Sequence, residues 1–183
     1  MAAMKPFAAF IRAIGPETHR VMPQAKLCER CIKLGLVGTK SHIASGNLYF
    51  CSPHDAATSS RLVEEAISGF GLQRPVFSRD TAMLDAIIAA NPFPDVAIKG
   101  PKALSVSLFD EAFDDALVEQ LLGWPGPERI VVRPGVVYVD YAIGQGKSKI
   151  SPPIIERRLK RVGTARNWNT ILKMRGFLGA IEE

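Results

Sequence analysis

The chain has 183 residues, of which 47% are hydrophobic, and it carries a formal net charge of +5. This length suits one domain of ordinary size or two small, closely packed ones, and this composition allows a sizeable core. Three cysteines, an odd number, argue against a disulfide scaffold, and the apolar run at residues 7–11 is too short to span a membrane. Because no small-residue cleavage site follows that run, the sequence predicts a cytoplasmic protein that is not associated with a membrane.

The first half of the chain shows strand and helix signals in alternation. Residues 7–11 are a continuous apolar run, which is typical of a central strand buried on both faces. A helix is predicted at residues 23–34, because Pro23 suits a first turn and Gly35 suits the position after a helix end. The sequence then predicts two strands joined by a turn, a helix capped by Asp55 and a further strand, at residues 37–44, 48–51, 55–69 and 75–77.

The second half repeats this order. A strongly helical stretch at residues 81–90 is stopped by Asn91 and Pro92, and Gly100-Pro101 marks a boundary. Beyond the boundary the sequence predicts a strand, a helix, a hairpin of two strands and a basic helix, at residues 104–109, 112–122, 129–133, 136–141 and 151–162.

This order of elements predicts the fold. A strand, a helix, two strands, a helix and a strand make the split βαβ unit of a ferredoxin-like plait. We therefore expect an α+β protein with two ferredoxin-like plaits in tandem, the second closed by a C-terminal helix that takes the place of its last strand. The predicted domains are residues 1–98, the first plait with a connecting helix, and residues 99–183, the second plait with the C-terminal helix.

The positive charge is concentrated in the last quarter of the chain. From Gly144 onward there are nine lysines and arginines against three glutamates, and no carboxylate lies between Arg157 and Ile181. Such a segment offers positive charge with no internal partner, which favours an anionic ligand. The alternative is a solvated face that only keeps the protein soluble.

A glycine-rich loop at residues 144–149 is the first candidate site. It reads Gly-Gln-Gly-Lys-Ser-Lys and lies between a predicted strand and a predicted helix, where backbone N–H groups can wrap an anion. A nucleoside-triphosphatase loop would need glycine in place of Tyr141, so that interpretation is disfavoured. A simple phosphate cradle beside Lys147 or Lys149 and a flexible glycine turn both remain open.

The segment at residues 166–173 is the second candidate site. If a helix begins near Arg166, then Arg166, Asn169, Thr170 and Lys173 share one face by helical spacing. That face suits a phosphate or the edge of a nucleobase. Asn167 suits a helix cap, whereas Trp168 is more typical of a core anchor than of a stacking platform. A helix whose polar side is merely exposed to water is the alternative.

Two other patterns carry less weight. Cys28 and Cys31 have metal-ligand spacing, but they fall within a predicted apolar helix face, where cysteine acts as a small hydrophobe. Tyr49 and Phe50 invite comparison with the aromatic sheets that bind RNA, but adjacent strand residues cannot both face outward. No metal and no cofactor is predicted.

Several segments resemble the domain-of-unknown-function family 1697. They are the early strand ending in Arg12, the Ser45-Gly46-Asn47 turn, Asn91-Pro92-Phe93, the loop at residues 144–149 and the Thr-x-Arg-Asn-Trp-Asn-Thr segment at residues 164–170. The resemblance implies tandem ferredoxin-like halves and no assigned activity. The chain departs from the family pattern after Arg12, where Ala13 replaces a glycine, and before Ser45, where Ala44 replaces a glutamine.

The leading functional hypothesis is a binding protein for a phosphate-bearing ligand, a nucleic acid or a nucleotide, held by the basic C-terminal surface. An enzyme acting on a small phosphorylated substrate is one alternative, with Lys149 or Arg166 stabilising charge and Asp140 or His42 as base. A non-catalytic interaction module, such as a homodimer, is the other. The candidate ligand-binding residues are Arg12, Ser45, Asn47, Gly144, Gly146, Lys147, Ser148, Lys149, Arg166, Asn167, Asn169, Thr170 and Lys173.

Overall fold

A computed structural model describes residues 3–182 of the chain. They form two compact units, one from the described parts of Met1–Ala86 and Lys173–Glu183, the other from Ile87–Leu172. The predicted domain boundary between residues 98 and 99 stays a prediction. Residues 87–98 instead belong to the compact unit that contains the second sheet. The end of the last helix belongs to the unit that contains the first sheet.

The first unit is built on a four-stranded antiparallel sheet in the order β2-β3-β1-β4. Phe7 and Ile11 in the central strand pack in the core of the helices, while Phe10, on the opposite face, is also buried. This confirms the central strand buried on both faces. The elements are β1 (Lys5–Ile11), α1 (Pro16–Val21), α2 (Gln24–Lys33), β2 (Val37–His42), β3 (Asn47–Ser52), α3 (Ala56–Ser68) and β4 (Val76–Asp80).

The second unit has a sheet of the same topology, β6-β7-β5-β8, again antiparallel throughout. Val137, Val139 and Tyr141 on one face pack against Leu121 and Ile155 from the covering helices. The elements that follow β4 are α4 (Thr81–Ala89), α5 (Pro94–Lys99), β5 (Leu104–Phe109), α6 (Asp115–Leu122), β6 (Arg129–Arg133), β7 (Val136–Asp140), α7 (Pro152–Leu159), β8 (Gly163–Asn167) and α8 (Trp168–Glu182).

The predicted fold class is confirmed. The chain is a mixed α/β protein with two four-stranded antiparallel sheets in two tandem halves, each with the strand order of a ferredoxin-like plait, and it carries a C-terminal helix. Within the described residues, no helix combines the length and the apolar character needed to cross a lipid bilayer. The sequence patterns missed the two short helices α1 and α5, both of which begin at a proline.

One prediction about the second plait is wrong. The C-terminal helix does not take the place of the last strand, because β8 pairs with β5 along its whole length. Gly163 permits the close approach of β8 to β5, since a Cβ there would lie 2.5 Å from the ring of Phe109 and 2.7 Å from the carbonyl oxygen of Leu108. The helix α8 therefore follows a complete plait.

Candidate anion-binding groove

The Ser45-Gly46-Asn47 turn, a candidate ligand site from the sequence, has its polar groups engaged within the first unit. Asn47 is fully buried, and its Nδ2 donates to Ser45 Oγ at 2.9 Å and to the carbonyl oxygen of His42 at 3.3 Å. Buried polar groups are normally satisfied in this way. The amide of Asn47 therefore closes the turn between β2 and β3.

Gly46 has an equally local explanation. Its φ is +76°, and a Cβ at this position would lie 2.5 Å from Cγ1 of Ile14. Its carbonyl oxygen accepts a hydrogen bond of 2.8 Å from the backbone N–H of Ile11. Arg12, the residue after Ile11 and the first beyond β1, donates its backbone N–H to the carbonyl oxygen of Pro75 at 2.9 Å. Ser45, the first residue of this turn, is exposed.

Arg166 lies in β8 and not on the face of a helix, so the predicted helical set of Arg166, Asn169, Thr170 and Lys173 is wrong. Arg166 stands opposite Val106 in the sheet, and its Nη1 donates to Thr164 Oγ1 and to the carbonyl oxygen of Ala165, both at 2.8 Å. Burial of the guanidinium lowers its pKa to about 10. The chain thus holds this cation within the fold.

The residues after Arg166 form a helix cap. Asn167 Oδ1 accepts the backbone N–H of Thr170 at 2.9 Å and lies 3.1 Å from its hydroxyl, which confirms the predicted cap and fixes the start of α8 at Trp168. Trp168 is buried, as expected for a core anchor, and so is Thr170. Asn169 and, in the first unit, Lys173 are exposed.

Tyr49 and Phe50 do not form an open aromatic sheet surface. Phe50 is fully buried in the core of the first unit. Tyr49 stacks on Phe177 of α8 with ring centres 4.7 Å apart and an angle of 11° between the planes. His42 meets the same Phe177 ring edge-on, with ring centres 5.0 Å apart. The C-terminal helix thus covers the side chains of Tyr49 and His42.

The loop at residues 144–149 differs from these segments because most of it faces solvent. Gly144 has a φ of +86°, and a short 3-10 turn, Gln145–Lys147, follows it. Lys147 and Lys149 are exposed, whereas Ser148, between them, is half-buried. The Ser148 hydroxyl hydrogen-bonds Glu128 and accepts the backbone N–H of Ile150 at 3.1 Å. One side chain therefore fastens the loop while two lysines extend from it.

Glu128 connects this loop to a second segment, the turn between α6 and β6. One carboxylate oxygen accepts from Ser148, and the other accepts from the indole Nε1 of Trp124 at 2.8 Å. The hydroxyl of Ser148, aided by the indole, holds the pKa of the buried Glu128 carboxyl below its usual range. Gly126 allows this approach, since a Cβ there would lie 2.2 Å from both Trp124 Nε1 and Glu128 Oε2.

Between these two segments lies a groove of about 370 Å³ within the second unit. Trp124 is half-buried against the core of the second unit and forms part of the wall of the groove with the rest of its surface. The guanidinium carbon of Arg158 lies 5.0 Å from the centre of its ring. The groove thus brings two exposed ammonium groups and an aromatic surface together. Its lining residues are Trp124, Pro125, Gly126, Pro127, Glu128, Ile143, Lys147 and Lys149.

The sequence predicted the cations of this groove but missed Trp124 and Glu128. The missed signal is the Trp-Pro-Gly-Pro run at residues 124–127, an aromatic side chain inside a turn of proline and glycine. Such turns hold a side chain in place at little entropic cost. The proximity of Trp124 and Glu128 to the loop at residues 144–149 depends on the pairing of β6 with β7, which the sequence does not display.

The two residues considered as catalytic bases do not line the groove. The carboxylate of Asp140 is 6% exposed and accepts from Arg129 at 2.8 Å through both Nε and Nη2. A carboxylate held in this way is poorly placed to take a proton from a substrate. His42 packs against Phe177, as described above. The enzyme hypothesis therefore gains no support from either residue.

The cysteine pair lies in α2 of the first unit. Cys31 is part of the buried core, and burial raises the pKa of its thiol to about 12. Burial also raises the pKa of Cys28. In the part of the chain that the structure describes, no three histidine, cysteine, aspartate or glutamate side chains cluster as metal ligands do.

Comparison with known proteins identifies relatives but no activity. The model of the family described as "Protein of unknown function (DUF1697)" matches residues 4–138, well over half of the chain. A solved structure described as that of a conserved bacterial protein from Streptococcus pneumoniae superimposes with a TM-score of 0.73. It shares 18% sequence identity, and the match covers 97% of this chain and 99% of that one, which establishes a common fold. No curated protein matches the sequence significantly.

Proposed function

The chain belongs to the DUF1697 family, whose description assigns no activity, and we propose that this protein binds a phosphate-bearing ligand of the nucleotide type. The ligand lies in the groove, with Lys147 and Lys149 on its phosphates. The observation that carries this proposal is the arrangement of two exposed lysines on the wall of a concave site that also presents an indole. Small-ligand sites are typically concave, apolar in part and equipped with a few polar groups.

The chemistry of the lining supports such a ligand. Ammonium groups bind phosphate oxygens through charge-assisted hydrogen bonds, and Trp124 and Ile143 offer apolar surface to a ring or sugar. Glu128 carries the opposing charge, but Trp124 and Ser148 each donate to one of its oxygens. The phosphates therefore approach from the side of the lysines, and Glu128 holds the two walls of the groove together.

This proposal narrows the larger set of candidates from the sequence. Asn47, Arg166, Asn167 and Thr170 each make hydrogen bonds that explain their presence by folding. The candidates that we retain for ligand contact are on the loop at residues 144–149. Lys147 and Lys149 contact the ligand, and Ser148 positions the loop. Gly144 lets the backbone turn at a φ of +86°, and Gly146 leaves space beside the loop.

The test is a binding titration with adenosine triphosphate that carries a fluorescent label on its ribose. We expect the Lys147→Ala/Lys149→Ala variant to bind at least about tenfold more weakly than the wild type, since two charge-assisted contacts are lost. The matched control is Lys26→Ala/Lys33→Ala, which removes the same charge from two exposed lysines of α2 in the first unit. This control should bind like the wild type.

Thermal unfolding of all three proteins completes the design. Because both pairs of lysines are exposed, the melting temperatures should agree closely. Inorganic tripolyphosphate should compete with the labelled nucleotide. Equal losses of affinity in the two double variants would reduce the interaction to net charge alone and overturn the proposed site.

A further inference from the structure

We propose that the phosphate-bearing ligand is a single-stranded nucleic acid whose backbone runs from the lysines of the groove onto the arginines of α7. This inference rests on the proposed function and extends it from a nucleotide-sized site to a polymer. Its basis is a set of exposed cations that follow the groove in the second unit but do not belong to its lining, namely Arg157, Arg158 and Lys160.

The helix α7 turns these cations toward solvent. Ile155 and Leu159 are fully buried, so they define the inner side of the helix. At 3.6 residues per turn, Arg157 lies about 200° around the helix from Ile155 and thus points away from the core. Arg157, Arg158 and Lys160 are all exposed, and Glu156, half-buried, is the only acidic residue of α7.

Arg161 provides an internal contrast. Its Nε lies 2.9 Å from the carbonyl oxygen of Ala112 and 3.2 Å from a carboxylate oxygen of Glu111, so this arginine joins α7 to the chain before α6. By contrast, no carboxylate within residues 3–182 forms a salt bridge with Arg157 or Lys160. These two cations are available to an external anion.

Arg158 makes the basic surface of α7 continuous with the groove. Its guanidinium lies against the ring of Trp124, and the same ring lines the groove that holds Lys147 and Lys149. The loop and the helix therefore both place cations beside the groove. A chain of phosphates can follow this path, each step meeting a lysine or an arginine, and release counterions as it binds.

The aromatic wall favours a single strand over a duplex. Proteins that bind single strands combine a basic path for the backbone with aromatic side chains on which bases stack. In a duplex the faces of the bases are stacked on one another and cannot reach an indole inside a concave groove. The combination of Trp124 with flanking cations is thus the chemistry that unpaired nucleotides require.

The experiment measures fluorescence anisotropy with labelled single-stranded oligonucleotides of about two, eight and sixteen nucleotides, a range that spans typical site sizes. We expect affinity to increase with length in the wild type. The Arg157→Ala/Lys160→Ala variant should weaken binding of the longest strand about tenfold and make its affinity less dependent on salt, since fewer phosphates are neutralised. Binding of labelled adenosine triphosphate should stay unchanged in this variant.

The matched control is Lys99→Ala/Lys102→Ala, which removes two exposed lysines elsewhere in the second unit and should bind all strands like the wild type. The inference is overturned if affinity does not rise with strand length, or if Arg157→Ala/Lys160→Ala leaves the affinity unchanged. Nucleotide binding that depends on Lys147 and Lys149 would in that case still support the proposed nucleotide site in the groove. A duplex of the same sequence that binds as tightly also overturns it. Loss of the Lys147 and Lys149 dependence for every ligand is the separate result that removes the proposed function itself.

Discussion

Two glycine-containing polar segments of this chain look alike in sequence and differ in what their side chains do. The polar side chains of the Ser45-Gly46-Asn47 turn bond to each other and to the fold, since Asn47 is fully buried and its amide donates to Ser45 and to the carbonyl oxygen of His42. In the loop at residues 144–149, as the structure describes it, only the side chain of Ser148 hydrogen-bonds to its surroundings, and both lysines are exposed. The hydrogen-bond partners of each polar group, rather than its residue type, therefore distinguish a turn that serves folding from a loop whose cations remain exposed to solvent.

The largest difference between the two segments should appear when a methyl group is added to one glycine of each. Gly46→Ala should cost roughly 2–4 kcal/mol of unfolding free energy, because the φ of +76° disfavours any L side chain and the new Cβ would meet Ile14. Gly146→Ala is the matched control, since no atom lies within 4 Å of its added Cβ. It should change stability by no more than about 0.5 kcal/mol.

Urea unfolding of both variants measures these differences. Similar losses of stability in the two variants, or a larger loss in Gly146→Ala, would contradict the different roles assigned to the two glycines.

A second test uses one asparagine from the turn and one from the surface. Asn47→Ala removes a buried amide that donates two hydrogen bonds and leaves the carbonyl oxygen of His42 without that donor, so we expect a loss of about 1–3 kcal/mol. Asn169→Ala, at an exposed position, should be nearly neutral. Urea unfolding at one pH compares the two, and equal stabilities would show that the amide of Asn47 contributes nothing to the turn.

A third, smaller effect concerns Glu128 and pH. Because the folded-state pKa of this carboxyl is lowered, its hydrogen bonds to Ser148 and Trp124 stabilise the fold above its ordinary pKa of 4.5, and this contribution is lost as the pH falls through the lower folded value. We therefore expect the melting temperatures of the wild type and Glu128→Gln to differ at neutral pH and to converge in acid. Thermal unfolding at a series of pH values checks this.

Glu65→Gln serves as the control for that series, since this glutamate is exposed on α3 of the first unit. A wild-type advantage over Glu128→Gln that persisted undiminished at the most acidic pH would contradict the assignment.

The sequence allowed most of the fold to be predicted, because its strands and helices carry their own periodicity and turn residues. The apolar run of β1 and the Pro134-Gly135 hairpin are local signals of this kind. The strand β8 carries no such signal. Its Thr-Ala-Arg-Asn residues show no apolar alternation, and Arg166 has helical spacing to Asn169 and Lys173, so pairing with β5 decides the structure.

The candidate site was predictable in part for the same reason. Charge at Lys147 and Lys149 is visible in the sequence, but the bond between Ser148 and Glu128 joins residues 20 positions apart. Such a contact depends on the pairing of β6 with β7, which brings Glu128 and Ser148 to the same end of the hairpin, and it connects the basic loop to Trp124.

Fluorine NMR of the protein labelled with 5-fluorotryptophan tests directly whether a nucleotide binds in the groove. The chain has two tryptophans, Trp124 in the groove and Trp168 in the core, so each spectrum contains its own control. The Trp124→Phe variant assigns the resonances. Titration with adenosine triphosphate should shift the Trp124 signal to saturation in the wild type and leave Trp168 in place, and the Lys147→Ala/Lys149→Ala variant should need a much higher concentration. A Trp124 signal that does not move while the nucleotide binds would contradict the account.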